Sequence, residues 1–141
     1  MATIKWYKSH FNDEAEEFQQ LGRKIGLSME DLRTAYNEQH SPKLLVQSMW
    51  AKLENTDSWR MKSYGHLASL LQAYQKPLAN FAFLLDALLI NNKCPLPILV
   101  AYIDKQGNQK VMLFAGNTRL SICRIAKIQP RVIFLDMIAD D

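Results

Sequence analysis

A single glycine separates two different periodicities in the last third of the chain. Before Gly116, residues 109–114 form a short apolar run of strand length; after it, Asn117-Thr118-Arg119-Leu120 leads into a segment, 120–128, that reads as a helix. Upstream, Cys94-Pro95-Leu96-Pro97 holds the chain extended, because the residue before a proline is pushed out of the α region. That run delivers the chain into Ile98-Leu99-Val100-Ala101-Tyr102-Ile103, strand-like in length and branching. Asp104-Lys105-Gln106-Gly107-Asn108 has the composition of a hairpin loop, with Gly107 available for positive φ. Downstream, Gln129-Pro130 stops the helix and 131–137 forms a last strand. The order β-hairpin, turn, helix, β predicts an α+β fold with a small mixed sheet.

The N-terminal part reads as helices. Asn12 or Asp13 caps a helix running to about Ile25, with Asp13, Glu14, Glu16 and Glu17 where the helix dipole favours negative charge and Phe18, Leu21 and Ile25 as its buried stripe. Gly26 ends it. Ser28 caps a second helix, with Asp31 in a near capping-box position and Leu32, Ala35 and Tyr36 on the inner face. Ser41-Pro42 is expected to open a third, on which Leu44, Leu45, Ser48, Met49 and Leu53 keep the period. The polar stretch Glu54-Asn55-Thr56-Asp57-Ser58 predicts a boundary between a helical N-terminal extension, 1–57, and an α/β domain, 58–141. Past it, His66 to Tyr74 reads as a helix and Lys76-Pro77 starts another. Residues 78–90 are apolar on nearly every side, so this helix is expected to be largely buried.

With 48% hydrophobic residues in 141 the chain can bury a core without staples. Its two cysteines, Cys94 and Cys123, have neither CxxC spacing nor a histidine cluster nearby, which argues against a disulfide framework and against a metal site and predicts a reduced, cytoplasmic setting. No stretch reaches the ~18 continuous apolar residues of a membrane span, and Met1-Ala2-Thr3-Ile4-Lys5-Trp6 lacks the pattern of a secretory signal. Charge is uneven: residues 1–57 carry 7 Lys+Arg against 9 Asp+Glu, and the remainder 10 against 5. A basic C-terminal part suits an anionic ligand.

The Gly116 turn is where such a ligand is expected. The first N–H groups of a helix lack intrahelical partners, and the dipole adds partial positive charge. Gly116 lets a phosphate oxygen approach closely. Thr118 offers a hydroxyl, Arg119 a planar fork suited to phosphate, and Asn117 either caps the helix or contacts the ligand.

These residues carry a resemblance. Pro95-Leu96-Pro97-Ile98-Leu99-Val100, the hairpin through Gly107, Leu113-Phe114-Ala115-Gly116-Asn117-Thr118-Arg119-Leu120, the helix that follows and Arg131-Val132-Ile133 together resemble the ParB/sulfiredoxin-like superfamily. The likeness is to its small stand-alone members in bacteriophages and mobile elements, whose signature reads Gly-Asn-Thr-Arg-Leu. It implies that Gly116, Asn117, Thr118 and Arg119 grip the phosphates of a nucleotide or another phosphorylated ligand. A nucleoside triphosphate, with or without magnesium, is the class of cofactor implied, in the cytoplasm of a bacterial or phage-infected cell. Sulfiredoxin carries a reactive cysteine within this turn, where this chain has Asn117, so its chemistry is not implied. ParB itself, with a second arginine-bearing motif and a DNA-binding domain, is resembled only in part. The serine kinases of the fold use an acidic base, and no glutamate follows Glu54 here, leaving Asp86, Asp104 or Asp136 as stand-ins.

Other features have plainer readings. Leu21-Gly22-Arg23-Lys24-Ile25-Gly26-Leu27-Ser28 has helix-turn-helix spacing, but the second helix begins Met29-Glu30-Asp31 and the first carries four acids, which repel DNA phosphates. Helical-hairpin packing is expected instead. His10, His40 and His66 are scattered, and Trp6, Tyr7, Trp50 and Trp59 read mainly as packing anchors. Lys105, Lys110, Arg124, Lys127 and Arg131 make the C-terminal part basic, and Lys105 or Arg124 could stand beside the phosphate. No catalytic constellation is legible. The second functional expectation is a non-catalytic module that binds protein or DNA through its helical N-terminal half.

Overall fold

The computed structural model describes residues 3–138. Met1 and Ala2, where the chain was read for a signal, and the last three residues of the expected domain, Ala139 to Asp141, lie outside the described residues. Two sheets organise the α+β fold. The larger is built from β4 (Ile98–Ile103), β5 (Gln109–Ala115) and β6 (Arg131–Asp136), with the two-residue β2 (Lys43–Leu44) beside β6, in the order β2-β6-β4-β5. β4 and β5 form the antiparallel hairpin, β6 runs parallel to β4, and β2 is antiparallel to β6, so the sheet is mixed. The smaller sheet pairs β1 (Lys5–Tyr7) with β3 (Lys93–Pro95) in parallel, Trp6 opposite Cys94.

Both faces of the larger sheet are covered, which explains why β4 reads Ile-Leu-Val without a polar alternate. On one face Ile98, Val100, Phe114, Ile133 and Leu135 meet Phe11, Phe18, Leu32 and Tyr36 from α1 (Ala15–Ile25), α2 (Met29–Glu38) and the 3-10 turn Phe11–Glu14. On the other, Leu99, Leu113 and Val132 pack with Leu120, Ile122 and Cys123 of α6 (Asn117–Ala126), with Trp50 of α3 (Gln47–Lys52), and with Leu67, Leu71 and Leu88 of α4 (Tyr64–Ala73) and α5 (Leu78–Leu89). Phe18 stacks edge-on against both Tyr36 and Phe114, joining helix to sheet. The Tyr36 hydroxyl donates to the Ser9 carbonyl at 2.6 Å, and the Lys8 ammonium donates to the carbonyls of Tyr36 and Gln39, satisfying the end of α2.

Local signals locate several ends. The Ser28 hydroxyl accepts from the Asp31 amide, and Gly26 closes α1 at φ 78°. The Ser63 hydroxyl accepts from the His66 amide and starts α4 two residues earlier than the apolar pattern indicates.

Three expectations are corrected. Ser41-Pro42 leads into the extended β2, and the helix starts only at Gln47; pairing of Lys43 and Leu44 with β6 overrides the helical period. The helix over 78–90 forms, but it covers one flank of the core and leaves Phe83 68% and Ile90 69% exposed. It packs against α4, α6 and β3, and these reach only one side of it. Most consequentially, the chain does not divide at Ser58. Residues before it supply β1, β2 and one whole covering layer of the sheet. The polar stretch itself is stitched in: Trp50 Nε1 donates to Ser58 Oγ at 2.8 Å, the Thr56 hydroxyl reaches the same oxygen, and the Asn55 carboxamide bonds both the amide and the carbonyl of Leu113.

A fragment beginning at Ser58 would therefore expose the apolar face of β4, β5 and β6 to water. It is expected to show no cooperative thermal transition by circular dichroism and to bind a hydrophobic dye, whereas the full chain melts in one step.

Candidate functional site

The turn into α6 is built around Gly116, which adopts φ 108°, ψ 23°. A Cβ there would lie 2.7 Å from Pro97 Cβ and 2.9 Å from Pro97 Cα. The glycine is thus required by close packing on the Pro95-Leu96-Pro97 run. This corrects the expectation that its missing side chain makes room for a phosphate. The following helix starts without a side-chain cap, and its first bond runs from the Leu120 amide to the Gly116 carbonyl at 2.9 Å. Asn117, Thr118 and Arg119 precede that bond, so their amides have no helical acceptor.

This helix head opens on a cleft of about 620 Å³. Asn117 and Thr118 line it together with Asn55, with Tyr74, Lys76 and Asn80 of the α4–α5 corner, and with Asp13, Glu14 and Glu17. The structure therefore brings the four predicted residues to one open concavity, but it commits two of their side chains elsewhere. The Asn117 carboxamide oxygen accepts from the Thr56 hydroxyl. Arg119 donates through one guanidinium nitrogen to Glu14 Oε1 at 2.8 Å and through the other to the Leu96 carbonyl at 3.2 Å. The side chains of this ion pair are only 14% and 7% exposed. Arg119 is not the free phosphate fork expected of it; it is an internal tie between α6 and the N-terminal 3-10 turn. Thr118 remains, half-buried, with its hydroxyl unpartnered among the described residues.

Sequence reasoning placed Glu14 on a helix dipole and missed its partner, since the two are 105 positions apart. The one clue was a charged residue in register with the buried stripe of Phe11 and Phe18. Tyr36 lies in the same neighbourhood, and burial, reinforced by the Glu14 carboxylate, pushes its phenol up to about 12. Burial also raises the Cys94 thiol to about 12 and the Cys123 thiol still further. Neither cysteine is poised as a nucleophile, in keeping with the absence of a cysteine from the turn.

The other basic candidates lie apart from the cleft. Lys105 sits in the hairpin loop, at the far end of β5 from Gly116. Arg124 donates to the Trp59 carbonyl and stacks 3.7 Å above the Trp59 ring, which in turn packs on Trp50. The helix-turn-helix spacing resolves as α1 and α2 packed on the sheet, with Leu32 and Tyr36 buried. Among the described residues no group of three or more His, Cys, Asp or Glu could hold a metal ion, and no helix is long and apolar enough to cross a membrane.

Removing one member of a buried ion pair leaves the other charged and unpaired. Arg119→Ala is expected to cost about 3–5 kcal/mol in urea denaturation, and the double variant Glu14→Leu/Arg119→Met to recover most of the loss. Gly116→Ala, forced into both a left-handed backbone and the Pro97 ring, is expected to cost roughly 2–4 kcal/mol, measured the same way.

Comparison with family models, with curated proteins and with solved structures gives no match.

Proposed function

We propose that this protein is a small ParB/sulfiredoxin-like domain of the phage and mobile-element type that binds a nucleotide or another phosphorylated ligand at the head of α6. The observation that carries the reading is the open, side-chain-uncapped start of a ten-residue helix at the wall of a cleft large enough for a nucleotide. The chain order of hairpin, Gly116 turn, α6 and a strand parallel to β4 supports the same family reading as the Gly-Asn-Thr-Arg-Leu motif.

In this reading the phosphate is held by the Asn117 and Thr118 amides and the Thr118 hydroxyl, with the exposed Lys76, which lines the same cleft, as the nearby cation. Arg119 acts as a positioning residue that anchors the turn through Glu14 and Leu96. Asp13 and Glu17 in the same cleft disfavour a bare polyanion. They favour a nucleotide whose phosphates already carry magnesium, since among the described residues no cluster of His, Cys, Asp or Glu could hold the ion.

One observation favours the alternative, a non-catalytic module that binds protein or DNA: the guanidinium that would read phosphate is neutralised inside the protein. Titration calorimetry with ATP, CTP, GTP and their diphosphates, with and without magnesium, separates the two. Saturable binding, weakened at least ~10-fold in Thr118→Val or Lys76→Gln, is expected from the first reading. Both variants touch residues outside the core, so circular dichroism should remain unchanged. Absence of heat with every nucleotide, in protein that is folded, selects the second reading.

A further inference from the structure

The outer edge of β5 presents free backbone groups away from the helix head. β5 ends the sheet, and its antiparallel pairing with β4 leaves alternate residues with their N–H and C=O groups directed away from the sheet. Leu113 identifies which residues these are: its amide donates to Asn55 Oδ1 at 3.0 Å and its carbonyl accepts from Asn55 Nδ2 at 2.7 Å. The Asn55 carboxamide thus imitates one rung of a neighbouring strand. Two positions along, Val111 directs its backbone groups the same way, and Gln109 follows. Among the described residues nothing bonds these groups. Beside them lies a cleft of about 600 Å³ between β5 and the segment running through α3, walled by Met49, Leu53 and Tyr102, with Lys52, Lys110 and Glu54 as its charged residues.

We infer that this edge forms a lane that receives a short extended segment of a partner protein, rich in acidic residues, which adds to β5 as a strand on the Gln109 and Val111 rungs. Paired, regularly spaced donors and acceptors on a sheet edge match a peptide backbone. The length is limited, because Asn55 closes the lane at Leu113; an added segment of three or four residues, roughly 10–14 Å, fills it. The same closure disfavours a second copy of this chain. Two-fold pairing of β5 with β5 about Val111 would set each Gln109 opposite the other copy's Leu113, whose groups are already taken, and pairing about Lys110, which leaves Leu113 out, would set the two Lys110 side chains directly opposite each other. The acidic preference follows from Lys52, which has no carboxylate partner among the described residues, and from Lys110, whose exposed contact with Glu54 at 4.0 Å is easily exchanged.

The probe is acetyl-Glu-Val-Glu-Val-Glu-amide, titrated calorimetrically into the full chain beside two N-methylated forms, one blocked at both valines and one at the three glutamates. A strand presents only alternate amides to its neighbour, so one blocked form is expected to lose at least ~10-fold in affinity while the other keeps it. Val111→Pro, which removes an amide that no internal acceptor uses, is expected to lose a similar factor with unchanged circular dichroism. Hydrogen exchange at the Val111 amide should slow on addition of the peptide, a readout independent of the variant's folding. Lys52→Glu/Lys110→Glu should reverse the preference toward acetyl-Lys-Val-Lys-Val-Lys-amide. The inference is overturned by no binding up to about 1 mM peptide, by equal behaviour of the two blocked forms, or by Val111 exchange unaltered by bound peptide. Self-association of the peptide-free chain with the Val111 amide already protected would overturn it in favour of a second copy.

Discussion

A buried ion pair holds the two covering layers of this fold to one another. Glu14 comes from the turn that starts the layer on one face of the sheet, Arg119 from the first turn of the helix on the other, and the Leu96 carbonyl between them takes a second guanidinium hydrogen. Two charges placed out of water are tolerated only when geometry and hydrogen bonding compensate their lost hydration. That requirement sets the position of α6, the path of the Pro95-Leu96-Pro97 run, and the entry of the chain into α1. Gly116 completes the arrangement by letting the turn lie directly on Pro97.

The pair also shapes what the site can offer. By holding Arg119 beneath the turn it exchanges a mobile phosphate fork for a rigid helix start, so the groups left facing the cleft are amides and a hydroxyl. Such groups recognise an anion by shape and dipole, with little net charge to attract it over distance. Asp13, Glu14 and Glu17 line the same cleft, so the field around the helix head is not uniformly positive.

The surface is also uneven in how well its edges are protected. On the β6 side β2 pairs with Arg131 and Val132 and the Gln39 carboxamide donates to the Phe134 carbonyl, whereas the β5 edge is closed at only one rung, by the Asn55 carboxamide. A side-chain amide can imitate a peptide group because it has the same donor and acceptor at the same separation. Natural sheets seldom leave free edges without some protecting device, and the lysines here supply charge where strand pairing is missing. The apolar surface left by α5, with Phe83 and Ile90 outward, is the other region where the fold has not buried what its sequence contains.

Short-range chemistry was legible from the residues alone. Ser28 and Gly26 cap their helices because a side-chain oxygen or a left-handed backbone acts within a few positions, and the hairpin, the α6 segment and the final strand follow from turn residues and apolar runs that need no distant partner. What depended on tertiary structure lay at long separation. Pairing with β6 drew 43–44 out of a helical pattern, the polar stretch at 54–58 proved to be a bonded seam through Ser58 and Asn55, and Glu14 claimed the arginine that the local motif had reserved for a ligand. Periodicity and capping report what a residue does to its immediate neighbours. Which distant group will neutralise a buried charge is decided only when the layers pack, because that choice depends on the cost of leaving the charge unpaired in the finished core.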